Sequence, residues 1–259
     1  MPTRTGYKPG VPCWVDLSST DLSASVAFYE GLFGWRAEFD PHPDAGGYGR
    51  FTQAGKLVAG IGPTFREGVP PVWNTYIATD DAESVAERVK EAGGRVRIGP
   101  VQVFDEGWTA VFQDPAGASF MIWQPGRHYG AQLVNEPVAH CWNELDCRDV
   151  VGAKAFYPAV FGWGSRSATD AAGLEYTEWL ADGRPVAGMM PIGDRFPPEV
   201  QAQWLVFFAV ADCDVIAALA EDHGGRILQR PQDLPAGRYA ILADPQGAVF
   251  AAITLKPAH

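Results

Sequence analysis

Two acidic residues occupy matching places in otherwise apolar runs. Asp16 lies in Cys13-Trp14-Val15-Asp16-Leu17 and Glu144 in Cys141-Trp142-Asn143-Glu144-Leu145, so each acid follows a tryptophan by two residues. The first run alternates as a strand does, which would bury the carboxylate. A buried carboxylate is costly unless it is paired, hydrogen-bonded or protonated. Desolvation also raises its pKa toward the range of a general base. Asp16 and Glu144 are therefore the candidate catalytic residues, as acid/base groups or as anchors for a donor on a ligand. The competing reading is a structural carboxylate that caps backbone N–H groups or pairs with arginine, and the recurrence of an acid in both halves favours it.

Other chemistries find little support. Cys13, Cys141, Cys147 and Cys213 lack zinc-site spacing and sit in hydrophobic runs, so they read as buried thiols. The five histidines are dispersed: His42 in a proline-rich loop, His128 in a linker, His140 at a strand start, His223 beside two glycines and His259 at the terminus. Surface or capping roles are expected for them. No Gly-x-Gly-x-x-Gly, P-loop or Gly-x-Ser-x-Gly pattern occurs, which removes nucleotide binding and a nucleophile elbow.

The elements that must position these residues follow from an internal repeat. CWVDLSSTDLSASVAFYEGLFGW at 13–35 returns as CWNELDCRDVVGAKAFYPAVFGW at 141–163, at a constant offset of 128. Val58-Ala59-Gly60 returns as Val186-Ala187-Gly188, and Asp114-Pro115-Ala116-Gly117 as Asp244-Pro245-Gln246-Gly247. Within each half a strand, a helix and two or three strands appear twice. Leu22, Val26, Tyr29 and Phe33 stripe one helix face, with Thr20 or Asp21 to cap it and Gly34 to end it. Further helices are predicted over 81–92, 150–160 and 215–223. The fold class is α+β: four βαβββ modules, about 11–65, 72–124, 138–193 and 203–256, in two domains, 1–130 and 131–259. The joint between them is placed at Gln124 to Pro137.

Composition bounds the rest. The chain has 259 residues, 47% of them hydrophobic, with 31 acidic and 20 basic side chains for a net charge of −11. That excludes disorder and argues against a phosphate-backbone binder, so no nucleic-acid partner is expected. No run approaches the roughly 18 apolar residues of a membrane span. Without an apolar secretory segment the expected compartment is the cytoplasm, export without a cleavable signal being the other route. A monomer and a homodimer are both compatible with the sequence.

Strand, then Asp-Leu-x-x-Ser/Ala-x-x-Phe-Tyr, then Phe-Gly-Trp, with Asp-Pro-x-Gly before the last strand, resembles the vicinal oxygen chelate superfamily of glyoxalases, bleomycin-binding proteins and extradiol dioxygenases. The resemblance covers nearly the whole chain. Trp-Val-Asp-Leu, Trp-Asn-Thr-Tyr-Ile and His128-x-Gly-Ala-x-Leu-Val-Asn-Glu are closer still to a two-domain actinobacterial branch that includes a mycobacterial culture-filtrate antigen and proteins labelled glyoxalase-like or hydroxylase. The resemblance implies sheets curled into troughs with helices outside, and four strand-borne metal ligands per trough, usually His, Gln or Glu. Those positions fall here on Trp14, Gly60, Asn74 and Met121, and on Trp142, Gly188, Leu205 and Ala251. Only a poor Asn among them suits a divalent cation, so no metal and no other cofactor is expected.

Strand alternation then assigns the trough faces. Trp14, Asp16, Ser18, Asn74, Tyr76, Met121 and Trp123 face the first trough, while Val15 and Leu17 pack under the helices. Trp142, Glu144, Asp146, Leu205, Phe207, Ala251 and Ile253 face the second. Gly60 and Gly188 are expected to leave room where a ligand carboxylate would have stood. The candidate ligand-binding residues are Trp14, Asn74, Tyr76, Met121, Trp123, Trp142 and Phe207. Their aromatic character suits a flat, conjugated partner such as an aromatic or polyketide-like small molecule held without metal. The alternative is a glyoxalase-like or hydroxylase-type enzyme that uses Asp16 or Glu144 as its acid/base group.

Overall fold

The computed structural model describes residues 3–66, 68–169, 173, 175–193 and 200–256. His259 lies outside them. The first module runs β1 (Pro12–Ser19), α1 (Leu22–Phe33), β2 (Arg36–Phe39), β3 (Gly49–Gln53) and β4 (Lys56–Pro63). The second runs β5 (Val72–Ala78), α2 (Ala82–Glu91), β6 (Arg95–Val103), β7 (Gly107–Gln113) and β8 (Ser119–Pro125). The third comprises β9 (Ala139–Cys147), α3 (Val150–Phe161), β10 (Gly164–Thr169), β11 (Glu175–Ala181) and β12 (Arg184–Pro191). The fourth comprises β13 (Gln203–Ala209), α4 (Cys213–Asp222), β14 (Arg226–Asp233), β15 (Gly237–Ala243) and β16 (Val249–Leu255). This is the βαβββ repeat, four times over.

Each helix starts where an aspartate can cap it. Asp21, Asp81, Asp149 and Asp212 all accept a hydrogen bond from a first-turn backbone N–H. Gly34 and Gly162 end α1 and α3 in the left-handed conformation, at φ 70° in both cases.

Modules pair within a domain to make one eight-stranded sheet, ordered β2-β3-β4-β1-β5-β8-β7-β6 and, identically, β10-β11-β12-β9-β13-β16-β15-β14. The central strands β1 and β5 are antiparallel, whereas β1 with β4 and β5 with β8 are parallel. Residues of β2 and of β6, at opposite ends of the strand order, line one cavity together, so the sheet curls into a trough.

The helices cover the convex faces, and the convex faces of the two sheets are turned toward each other. One apolar core joins the first module to the fourth, with Leu17, Phe28 and Trp35 against Phe208, Ile216 and Phe250, and takes in Trp73 of β5. The other joins the second to the third, with Ile77, Val85, Phe112 and Phe120 against Phe156, Trp163 and Trp179, and takes in Trp204 of β13. Burying each such side chain stabilises the fold by about 1.5–3 kcal/mol.

The repeated motifs close this junction. The Tyr29 hydroxyl donates to Asp244 at 3.3 Å and the Tyr157 hydroxyl to Asp114 at 3.0 Å, so each helix tyrosine is held by the Asp-Pro-x-Gly turn of the other domain. The same aspartates accept backbone N–H groups of their own turns. At the centre, Thr75 of β5 donates to the Asn143 side chain of β9 at 2.8 Å.

The stretch after β8 is packed rather than loose. The Trp123 indole N–H donates to the His128 carbonyl at 2.6 Å, and Ala131 and Gln132 donate backbone N–H groups to Cys13 and Leu57. The thiols of Cys13, Cys147 and Cys213 are buried and that of Cys141 half-buried, and all four are free.

Candidate functional site

Strand pairing brings the predicted first-trough residues together. Trp14 lies opposite Tyr76 and Asp16 opposite Asn74 across the β1–β5 pair, Asp16 is beside Gly60 on β4, and Tyr76 is beside Met121 on β8. Trp14, Tyr76, Met121 and Trp123 form an apolar cluster separate from the two convex-face cores. Val15 and Leu17 belong to the core beneath α1, so the alternation of β1 sorts its faces as the sequence requires.

Asp16 is the polar centre of this floor. The Asn74 amide donates to Oδ1 at 2.8 Å, and the Tyr76 and Tyr48 hydroxyls donate to Oδ2 at 2.7 and 3.2 Å. Burial raises the pKa of Asp16, and these three donors work against the rise. Burial and the adjacent Asp16 also raise Tyr48 and Tyr76 well above the ordinary phenol value. The hydroxyls therefore stay protonated and point at the carboxylate.

Gly60 does not leave an opening, contrary to the sequence expectation. The Tyr48 hydroxyl fills the space that a Cβ on Gly60 would need, and it accepts a hydrogen bond from the Trp14 indole at 3.0 Å. Gly188 is filled in the same way by the Tyr176 hydroxyl, which accepts from the Trp142 indole at 2.9 Å. Tyr48 and Tyr176 are 128 residues apart, the offset of the repeat, and that signal could have found them.

His128 is a second correction. Rather than sitting on the surface, its ring is 8% exposed and packs edge-on to Trp14 at 4.6 Å and to Trp123 at 5.4 Å. Burial, with a smaller effect of Arg50, lowers its pKa to about 3, so the ring is neutral, and Nε2 is buried with no partner among the described residues. His140 is likewise buried and lowered to about 4, held by Asn143 at 2.8 Å.

Above this floor opens a cavity of about 740 Å³. Its walls add Phe39 from β2, Arg50 from β3, Ile98, Val101 and Val103 from β6, and Phe104 and Glu106 from the following turn. Arg50 and Glu106 meet at 2.6 Å across the trough, and His42 contacts Phe104 edge-on at 5.5 Å. Neither pair was singled out by the sequence.

The second trough gathers Trp142, Glu144 and Asp146 on β9 with Leu205 and Phe207 on β13. Phe207 stacks on Tyr239 at 6.3 Å within an apolar cluster that includes Ala251 and Ile253. Glu144 hydrogen-bonds with Tyr176, while Asp146 accepts a long 3.4 Å bond from Gln203 and has a buried Oδ1 with no partner among the described residues. Burial raises both acids, and the charge of Asp146 pushes Glu144 further.

The positions that the resemblance assigns to metal ligands are thus occupied by indole, thioether, aliphatic and glycine groups, plus Asn74, whose amide is committed to Asp16 and Ser18. Among the described residues no three His, Cys, Asp or Glu side chains converge on a point that could hold a metal ion. This donor set does not fit a divalent cation. No helix among them is long and apolar enough to cross a membrane.

Comparison with known proteins agrees with the duplicated architecture. The glyoxalase/bleomycin resistance protein/dioxygenase superfamily profile matches residues 13–122, and a glyoxalase-like domain profile matches residues 142–253. The chain is 44% identical to the protein named "Putative glyoxylase CFP32" of Mycobacterium tuberculosis, over 100% of this chain and 99% of that one. It is 39% identical to the anthracycline biosynthesis protein DnrV of Streptomyces peucetius, over 98% and 97%. Among solved structures it resembles the Mn(II)-bound glyoxalase from Novosphingobium aromaticivorans, with a TM-score of 0.65 and 18% identity over 96% of this chain and 83% of that one. A trihydroxybiphenyl dioxygenase from Sphingomonas wittichii gives a TM-score of 0.65 at 12% identity over 95% and 91%. At such identities the structural likeness concerns the fold.

Proposed function

The chain belongs to the glyoxalase/bleomycin resistance protein/dioxygenase superfamily, and we propose that its first trough binds a planar aromatic, polyketide-like small molecule without a metal ion. The observation that carries this reading is the cavity of about 740 Å³ floored by Trp14, Tyr76, Met121 and Trp123. Its volume lies within the range of small-molecule sites, and its lining is apolar with a few fixed polar groups. Ring stacking on such a floor contributes about 0.5–1.5 kcal/mol per pair beyond area burial. The name of one full-length relative places that relative in anthracycline biosynthesis, which fits a fused-ring ligand here.

Asp16, with Asn74, Tyr48 and Tyr76, holds the floor rigid. Its two oxygens are occupied by protein donors, which favours a role in organising the tyrosine hydroxyls over direct proton abstraction. The same cluster supports a second reading, an enzyme of secondary metabolism with Asp16 as acid/base, because burial moves Asp16 toward holding a proton.

Titration with 9,10-anthraquinone, followed by tryptophan fluorescence with and without EDTA, tests the first reading. Saturable quenching that EDTA does not change, and that Trp123→Phe diminishes, is the expected result; no saturable binding would overturn it. Recovery of the quinone unchanged supports a binder, whereas a new product that disappears with Asp16→Asn supports the enzyme.

A further inference from the structure

The Arg50–Glu106 pair is poorly explained as a structural ion pair. Its members come from β3 and from the turn after β6, on opposite flanks of the strand order, and they meet across the trough with side chains 34% and 26% exposed. A part-buried ion pair held through a single N–H and open to the cavity contributes modestly to stability. Only one N–H of Arg50 and one oxygen of Glu106 are engaged, at Nη2 and Oε2, and neither side chain has another hydrogen-bond or ion-pair partner among the described residues, although the charge of Arg127 is felt at Glu106. Both line the cavity. The second domain lacks the pair: at the repeat offsets Arg50 becomes Glu178, which bonds Arg166 of β10 at 2.8 Å, and Glu106 becomes Ala236.

Resting on the aromatic-binding reading above, we infer that Arg50 and Glu106 form a polar fork that recognises a ring carbonyl beside a hydroxyl, so that the ligand is a hydroxyquinone or aromatic hydroxyketone. Arg50 presents N–H donors to the carbonyl oxygen, and Glu106 Oε1 accepts from the hydroxyl, the two groups lying side by side because their ion pair fixes them. Arginine suits this role because its planar donors have fixed directions. The fork is neutral as a whole, and the cavity wall carries Glu38, Asp40 and Asp44 besides, so an anionic ligand is disfavoured and an uncharged one accepted. Neutral His128 keeps Arg50 the one cation in the described cavity lining.

The test compares 1,4-dihydroxyanthraquinone with 9,10-anthraquinone, both uncharged at pH 7, on the wild type and on Arg50→Gln and Glu106→Gln. Circular dichroism checks that each variant is folded. The wild type should prefer the hydroxylated probe by about tenfold, a difference of about 1.4 kcal/mol. Glu106→Gln should lose that preference, whereas Arg50→Gln should weaken both probes by about tenfold, a range ordinary for one charged hydrogen bond. Equal wild-type binding of the two probes, or a preference that survives in both variants, overturns the fork and leaves the aromatic-binding reading intact. Binding of neither probe overturns both.

Discussion

The two troughs begin from one plan and satisfy their buried acids differently. In the first, three donors converge on Asp16, and the residue two places along β1 is Ser18, a neutral group that accepts from Asn74. In the second, Glu144 has the equivalent tyrosine, but Asp146 stands where Ser18 does, and Leu205 replaces Asn74 as the cross-strand neighbour. Two carboxylates therefore share one wall with fewer donors, and one oxygen has no partner among the described residues. A satisfied buried carboxylate rigidifies its surroundings, whereas an under-satisfied pair is a liability that protonation relieves. The difference marks the first trough as the one built to hold a shape.

The largest consequence is a difference of sign between Asp16→Asn and Glu144→Gln. An amide at position 16 turns an N–H₂ toward groups that are themselves donors, and we expect a loss of about 2–4 kcal/mol, since bonds to charged groups contribute about 1.5–3 kcal/mol each. Glu144→Gln removes one of two repelling charges at little loss of bonding and should stabilise the protein by about 1 kcal/mol at pH 8. Urea unfolding of both variants measures this. A loss at position 144 as large as at position 16 would erase the distinction.

Smaller, and shared by both troughs, is the tyrosine that fills the glycine gap. Tyr48→Phe removes a donor to Asp16 and an acceptor for Trp14, and it should cost about 1–2 kcal/mol. Tyr176→Phe removes the matching pair of bonds and should cost about the same or less, because its carboxylate already tends to hold a proton. Thermal melts of the two variants decide it, and a larger loss for Tyr176→Phe would contradict the ranking.

These tyrosines also show where the sequence was legible. Faces along β1, β5 and β9 were readable because alternation has period two and the outward residues are apolar. The four-module duplication was readable because Phe28-Tyr29 and Phe156-Tyr157, and the two Asp-Pro-x-Gly turns, hold the convex faces together across domains. Tyr48 was legible only as the repeat partner of Tyr176, since it lies just before β3 in a loop whose approach to Gly60 no local pattern encodes. His128, Arg50 and Glu106 were missed for a related reason. Their meeting depends on how strongly the sheet curls, and on a connecting segment that packs over the trough instead of leaving it. An isolated histidine in a Pro- and Gly-rich stretch looks like a surface residue until that path is known.

The carboxylate pair also makes a pH-dependent claim. Burial raises Asp146 and Glu144 above their unfolded values, so the stability they contribute is fully present below the ordinary carboxylate pKa and is lost as pH rises through the raised values. Asp146→Asn cannot ionise and escapes that loss. Its melting temperature should exceed the wild type by about 2–4 °C at pH 8, corresponding to about 1 kcal/mol in a chain of this size, and the gap should close as pH falls toward 4. A gap that is constant across this range would mean that the wild-type pair does not titrate there.

The smallest effect on stability separates the mouth of the first trough from its floor. Phe65 is 68% exposed and lies at the cavity entrance with Phe39 and Phe104, which are also exposed. An exposed ring contributes little to folding, so Phe65→Ala should change stability by no more than about 0.5 kcal/mol. Large apolar groups gathered at an opening, with carboxylates between them, are what a partly aromatic ligand would cover on entry. Phe65→Ala should therefore weaken 9,10-anthraquinone binding several-fold in the fluorescence titration, while Phe207→Ala in the second trough leaves that titration unchanged. If Phe207→Ala weakened binding and Phe65→Ala did not, the second trough would be the occupied one, and the better-satisfied carboxylate would mark rigidity without marking the site.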